Sequence, residues 1–114
     1  MGTKAVFALT LDEGNRYYST IIGMTSDGFP NNLKYLTDLC RYFKKKLNLD
    51  KIDSSNYLAL FNSVIEHVRK EQPNWLFLDD CKNASCVSYS MMYNPNTDKS
   101  YLYEDLFGYL VEGT

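Results

Sequence analysis

Leu33, Leu36, Leu39, Cys40, Phe43 and Leu47 return at steps of three and four residues, and only a helix gathers such a set on one face. That stripe constrains the chain more than any other feature, because it demands an apolar surface to cover it. Lys34, Asp38, Arg41 and Lys45 fall on the opposite, wet side. Asp27-Gly28 reads as a turn, Pro30 fixes φ where a helix begins, and Asn31 or Asn32 can contribute to the cap. Lys44-Lys45-Lys46 suit the negative end of the helix dipole. A second stripe, Leu58, Phe61, Val64, Ile65 and Val68, follows Asp53, Ser54 or Ser55 as the residue that can cap it, and ends at Gln72-Pro73.

The surface that covers both stripes is legible as strands. Lys4–Leu11 places Ala5, Phe7, Leu9 and Leu11 on one face, Asp12-Glu13-Gly14-Asn15 turns, and Arg16–Met24 is rich in β-branched and aromatic residues. These two runs predict a hairpin. After the helices come Asn74–Asp79, the alternating run Ser85–Tyr93, a dense turn at Asn94–Lys99 and a return at Ser100–Glu104. Asp105–Val111 is ambiguous: Leu106, Phe107 and Leu110 suit a short helix, which Gly108 weakens. The expected fold is a single α+β domain over residues 1–114. Its five-stranded antiparallel sheet, in the order ββ-αα-βββ, carries both helices on one face. Leu36, Leu39, Phe43, Phe61, Ile65, Trp75 and Phe77 are the expected core.

Ten tyrosines stand against the single histidine His67. Tyrosine joins a large apolar ring to a polar tip and freezes few bonds on contact. Histidine is the commonest acid/base and metal ligand, so the balance points to recognition and away from catalysis. The net charge of −2 lacks the basic footprint of a phosphate-backbone binder, and direct nucleic-acid binding is not expected. The sequence shows no span of 18 apolar residues and no signal sequence at its start, so the expectation is no membrane and a cytoplasmic location. Cys40, Cys81 and Cys86 form no dense framework and fit free thiols in a reducing compartment.

The opening Met1-Gly2-Thr3-Lys4-Ala5, a hairpin and then Asp27-Gly28-Phe29-Pro30 resemble a pattern in small phage and prophage proteins. Those begin Met-Gly-Thr-Arg and reach an aromatic-Asp-Gly-Tyr-Pro turn before a helix. The Tyr89–Tyr103 hairpin is similar in texture. The resemblance covers the first third of the chain, with Lys4 in place of Arg and Ser26 in place of the aromatic residue. It implies a phage or mobile-element origin, with the host cytoplasm as setting, and names no activity.

Most chemistry-bearing residues already have a local structural task. Asp27 and Gly28 are the candidate ligand-binding pair, because a helix N-terminus can hold an anion, yet both also build the turn. His67 with Cys40, Cys81 or Cys86 shows no ligand spacing. Asp79, Asp80, Asp98, Glu104 and Asp105 are carboxylates for Mg²⁺ only if the fold gathers them. No catalytic residue, metal site or cofactor is assigned. Lys34, Arg41, Lys44, Lys45, Lys46 and Lys51 read as a solvated helix face. Tyr89, Tyr93, Tyr101 and Tyr103 are the candidate partner-binding residues, expected to share one sheet face. The resulting expectation is a small non-enzymatic protein that binds a partner protein, in the phage setting an inhibitor of a host system. The alternative is binding or sequestration of a small nucleotide-like ligand, with tyrosines stacking on the base.

Overall fold

The computed structural model describes residues 3–14, 16–24, 27–73, 77–78 and 87–113. Strands β1 (Ala5–Glu13) and β2 (Arg16–Met24) form the expected hairpin. Gly14 turns it at φ +64°, a conformation that costs glycine nothing. Helices α1 (Pro30–Lys46) and α2 (Tyr57–Glu71) follow. Then come β3 (Phe77–Leu78), β4 (Tyr89–Asn94), β5 (Lys99–Glu104) and β6 (Tyr109–Gly113). The α+β class holds, and two details of the expectation do not. Among the described residues the sheet has six strands in the order β3-β2-β1-β4-β5-β6, and β1 and β4 run parallel while every other pair is antiparallel. The chain leaves the hairpin, makes both helices, and adds β3 to the outside of β2. It then crosses to the far side of β1, and a connection this long is what a parallel neighbour requires. The extra strand is β6, where Asp105–Val111 makes a turn and an extended run in place of a short helix.

Pairing fixes which residues share a face. Ala5, Phe7, Leu9 and Leu11 of β1 lie beside Ile22 and Met24 of β2 and beside Met91 and Tyr93 of β4. Against them pack Leu33, Leu36, Cys40 and Phe43 of α1 with Leu60, Phe61, Val64, Ile65 and Val68 of α2, in one buried cluster. Leu36, Leu39, Phe43, Phe61 and Ile65 are buried as expected. Trp75 and the Phe77 side chain lie outside the described residues, as do Asp79, Asp80, Cys81 and Cys86. β1 is buried on its other face too, where Val6 packs with Val87 and Phe107.

The helix ends differ from the capping expectation. Phe29 is the N-cap of α1 and makes no side-chain cap bond, while Asn32 Nδ2 donates to the Asp27 carbonyl at 2.6 Å. Asp53 instead closes a turn ahead of α2, its carboxylate accepting from the Ser55 N–H and hydroxyl. Among the described residues, no helix is long and apolar enough to cross a membrane.

Candidate functional site

The four candidate tyrosines do not share a face. Asn94 pairs with Lys99 and Tyr93 with Ser100, so the odd-numbered residues of β4 oppose the even-numbered residues of β5. Tyr89 and Tyr93 therefore point to the helices, while Tyr101 and Tyr103 point to the outer face with Ser90 and Met92. The expected four-ring platform is replaced by two pairs on opposite sides. Tyr93 is a core residue, 1% exposed. Its hydroxyl donates to Asp98 Oδ1 at 2.7 Å, and Arg41 Nε donates to the same oxygen at 2.6 Å. Arg41 also stands 5.5 Å above the Tyr93 ring. Burial pushes the Tyr93 hydroxyl pKa well up, with the Asp98 carboxylate adding to the rise. The hydrogen bond from Arg41, and then that from Tyr93, hold Asp98 below the usual carboxylate range.

Asp27 and Gly28 sit where the chain enters α1, and close packing explains the pair. Asp27 itself takes the left-handed conformation, at φ +58°. Gly28 is required for approach: a Cβ there would come within 2.4 Å of Ala5 Cβ and 2.9 Å of backbone atoms of Thr3 and Ala5. Its N–H donates to the Thr3 carbonyl at 2.9 Å. That donor ties the turn to the start of the hairpin instead of facing outward for an anion.

The other polar groups are similarly engaged. Cys40 is buried in the core, and desolvation pushes its thiol up to about 12, so it carries no thiolate near neutrality. His67 stacks edge-on against Phe43 at 5.5 Å. Among the described residues no three of His, Cys, Asp and Glu come together as metal ligands. A cleft of about 580 Å³ lies between the end of α1 and the β4–β5 turn, lined by residues that include Arg41, Lys44, Lys45, Tyr93 and Asn96. Here Lys44 donates to the Pro95 carbonyl, and the Asn96 side chain bonds both the N–H and the carbonyl of Ile52. These bonds fix the β4–β5 turn to α1 and to the loop between the helices.

What remains is the β5–β6 margin, which the tyrosine count alone does not reveal. β6 closes the sheet, and all five of its residues are exposed. Tyr109 is 73% exposed, Leu110 50%, Val111 48%, and Leu106 in the preceding turn 44%. Tyr101, 38% exposed, lies on the same outer face as Leu110 with its ring over Gly113, where a Cβ would sit only 3.0 Å from the ring edge. A bulge falls in the β5–β6 pairing at Leu102/Tyr103. The 105–108 turn is pinned from below. Ser90 Oγ donates to the Asp105 carbonyl at 2.8 Å and accepts from the Phe107 N–H at 2.8 Å. Asp105 and Phe107 both take positive φ, at +58° and +55°, a conformation bulky side chains rarely adopt. It turns Phe107 inward, onto Tyr103 at 5.7 Å and the Val6–Val87 cluster, and leaves Leu106 outside. Exposed apolar residues elsewhere include Phe29, Tyr42, Leu47 and Leu58 on the helices and their flanks, and Tyr17 and Ile21 on the outer face of β2. The only sequence signal for the margin was the density of apolar residues in Leu106–Val111 without a clean period.

Compared with protein-family models, with curated proteins and with solved structures, the chain finds no match.

Proposed function

We propose that the chain is a non-enzymatic binding domain that recognises a partner protein through its β5–β6 margin. The observation that carries this reading is the exposure of Leu110 near Tyr101 on the outer face of the last two strands, with Tyr109 exposed on the other face of β6 and Leu106 and Val111 exposed along the same margin. A folded domain gains nothing from leaving five large apolar side chains along one sheet margin in water, whereas a contact surface does. Two of the five are tyrosines, the ring type favoured at interface centres. The engaged state of Tyr93, Asp98 and Gly28 supports the same reading, because those groups serve the fold. The resemblance of the first third of the chain to phage proteins adds the setting: a phage-encoded inhibitor of a host protein in the host cytoplasm.

Native mass spectrometry of the purified protein with host lysate tests the proposal when three proteins are run side by side. The wild type and Lys45→Glu, altered on the exposed helix face, should each form the same stoichiometric complex, and Leu110→Asp should form none while remaining folded. A complex lost in Lys45→Glu and kept in Leu110→Asp would move the site to the helical side.

A further inference from the structure

Strand β6 has β5 on one side and no strand on the other among the described residues. It offers a row of backbone donors and acceptors, the template on which a sheet takes up another strand. We infer that the partner supplies an extended strand to this edge, alternating apolar and basic residues; the inference rests on the margin being the binding surface.

The alternation follows from the register. Leu110 and Gly113 oppose Tyr103 and Tyr101, so they belong to the outer face. Tyr109 and Glu112 oppose Glu104 and Leu102, which puts both on the helix-bearing face. An added strand would thus meet Leu110 on the outer face and, on the helix-bearing face, the Tyr109 ring with the Glu112 carboxylate and Glu104 one strand further in. From Ser100 to Thr114 the chain carries Glu104, Asp105 and Glu112 and no Lys or Arg. Lys34 of α1 reaches across to Glu112 at 3.0 Å and neutralises it. Glu104 and Asp105, exposed at the turn end of the margin, have no ion-pair partner among the described residues. Glu104 lies on β5, roughly 10 Å from the axis of an added strand at ordinary strand spacing. A Lys or Arg side chain spans much of that gap, and the remaining separation is within screening distance. The incoming strand therefore places its basic residues towards Glu104 and Asp105. The same charges disfavour a second copy of this chain at the edge, since self-pairing brings two acidic margins together.

Two synthetic heptapeptides alternating lysine with valine or glutamate with valine provide the probes. The lysine peptide is also made with its central valine replaced by proline. We expect the lysine peptide to bind at least tenfold more tightly than the other two and to slow hydrogen exchange at β6 amides. Glu104→Lys with Asp105→Lys should abolish the preference for lysine over glutamate. Equal binding of the lysine and glutamate peptides would overturn the inference. So would binding that leaves β6 amide exchange unchanged, or dimerisation of the protein through β6 in the absence of peptide. Loss of the native complex in Leu110→Asp with no β6 protection by the lysine peptide would overturn the strand mode and leave the binding surface standing. Retention of that complex would instead overturn the surface.

Discussion

β1 and β6 are strands of one sheet, both rich in apolar residues, and they are opposite in what surrounds them. From Ala5 to Leu11 every residue of β1 is buried, on both faces. Helix stripes cover one side, and Val87 with Phe107 shields Val6 on the other. β6 presents Tyr109, Leu110 and Val111 to water along its whole length. Burial of apolar area drives folding at roughly 25 cal/mol per Å², so β1 contributes far more of this term than β6. The contrast teaches which aromatic residues belong to the fold. Ten tyrosines looked like one population in the sequence, yet Tyr93 is core and Tyr109 is surface.

The contrast can be broken by stability measurements. Phe7→Ala empties a site at the centre of the buried cluster and should destabilise by about 3–5 kcal/mol. Tyr109→Ala should stay within about 0.5 kcal/mol of wild type. Urea unfolding of the two variants decides it, and similar losses would mean that β6 is a structural strand. Gly28→Ala comes next. Its methyl would meet Ala5 and the Thr3 backbone below van der Waals distance, and overpacking of this kind costs about 1–3 kcal/mol. A neutral result would show that the start of the hairpin yields easily.

Two smaller effects sharpen the picture of Tyr93. Tyr93→Phe keeps the ring in the core and removes only the hydroxyl bond to Asp98, for an expected loss of about 1 kcal/mol. A loss several times larger would mean that the hydroxyl organises the β4–β5 turn as well. The acid limb of stability follows Asp98. Its carboxyl is lowered in the fold, so its contribution is complete above the ordinary carboxylate value of about 3.9 and is lost as pH falls through the lowered folded value. Asp98→Asn should therefore show a shallower fall in stability below about pH 4 than wild type. Superimposable acid limbs would show that the Arg41–Asp98 pair, exposed on both sides, is fully screened.

Much of this architecture could be read from spacing. The stripes of α1 and α2, the β1–β2 hairpin and the Gly14 turn each rest on local periodicity or local backbone demands. Strand placement could not be read, because alternation in Ala5–Leu11 tells which residues share a face and not which strand lies on which side. The parallel neighbour β4 follows from a crossover with no local signature. The tyrosine quartet failed for a sharper reason. Within each strand the alternation was right, since Tyr89 pairs in face with Tyr93 and Tyr101 with Tyr103. The four residues between Asn94 and Lys99 set the register, and one residue more or fewer would have put all four rings on one side. The β6 margin was hidden because Leu106, Phe107 and Leu110 fit a helical step as well as an extended one. Only the positive φ at Asp105 and Phe107 separates the two.

If the β5–β6 margin serves a partner and not the fold, binding and stability must separate there. That separation is tested most directly by reading Leu110→Ala twice on one preparation, once for its urea midpoint and once for its dissociation constant with the partner recovered in the native complex. The expected result is an unchanged midpoint together with weaker binding by about 2 kcal/mol, roughly thirtyfold, the penalty typical of an anchor at an interface centre. A lowered midpoint with undiminished affinity would contradict it, and would make β6 one more strand of the core.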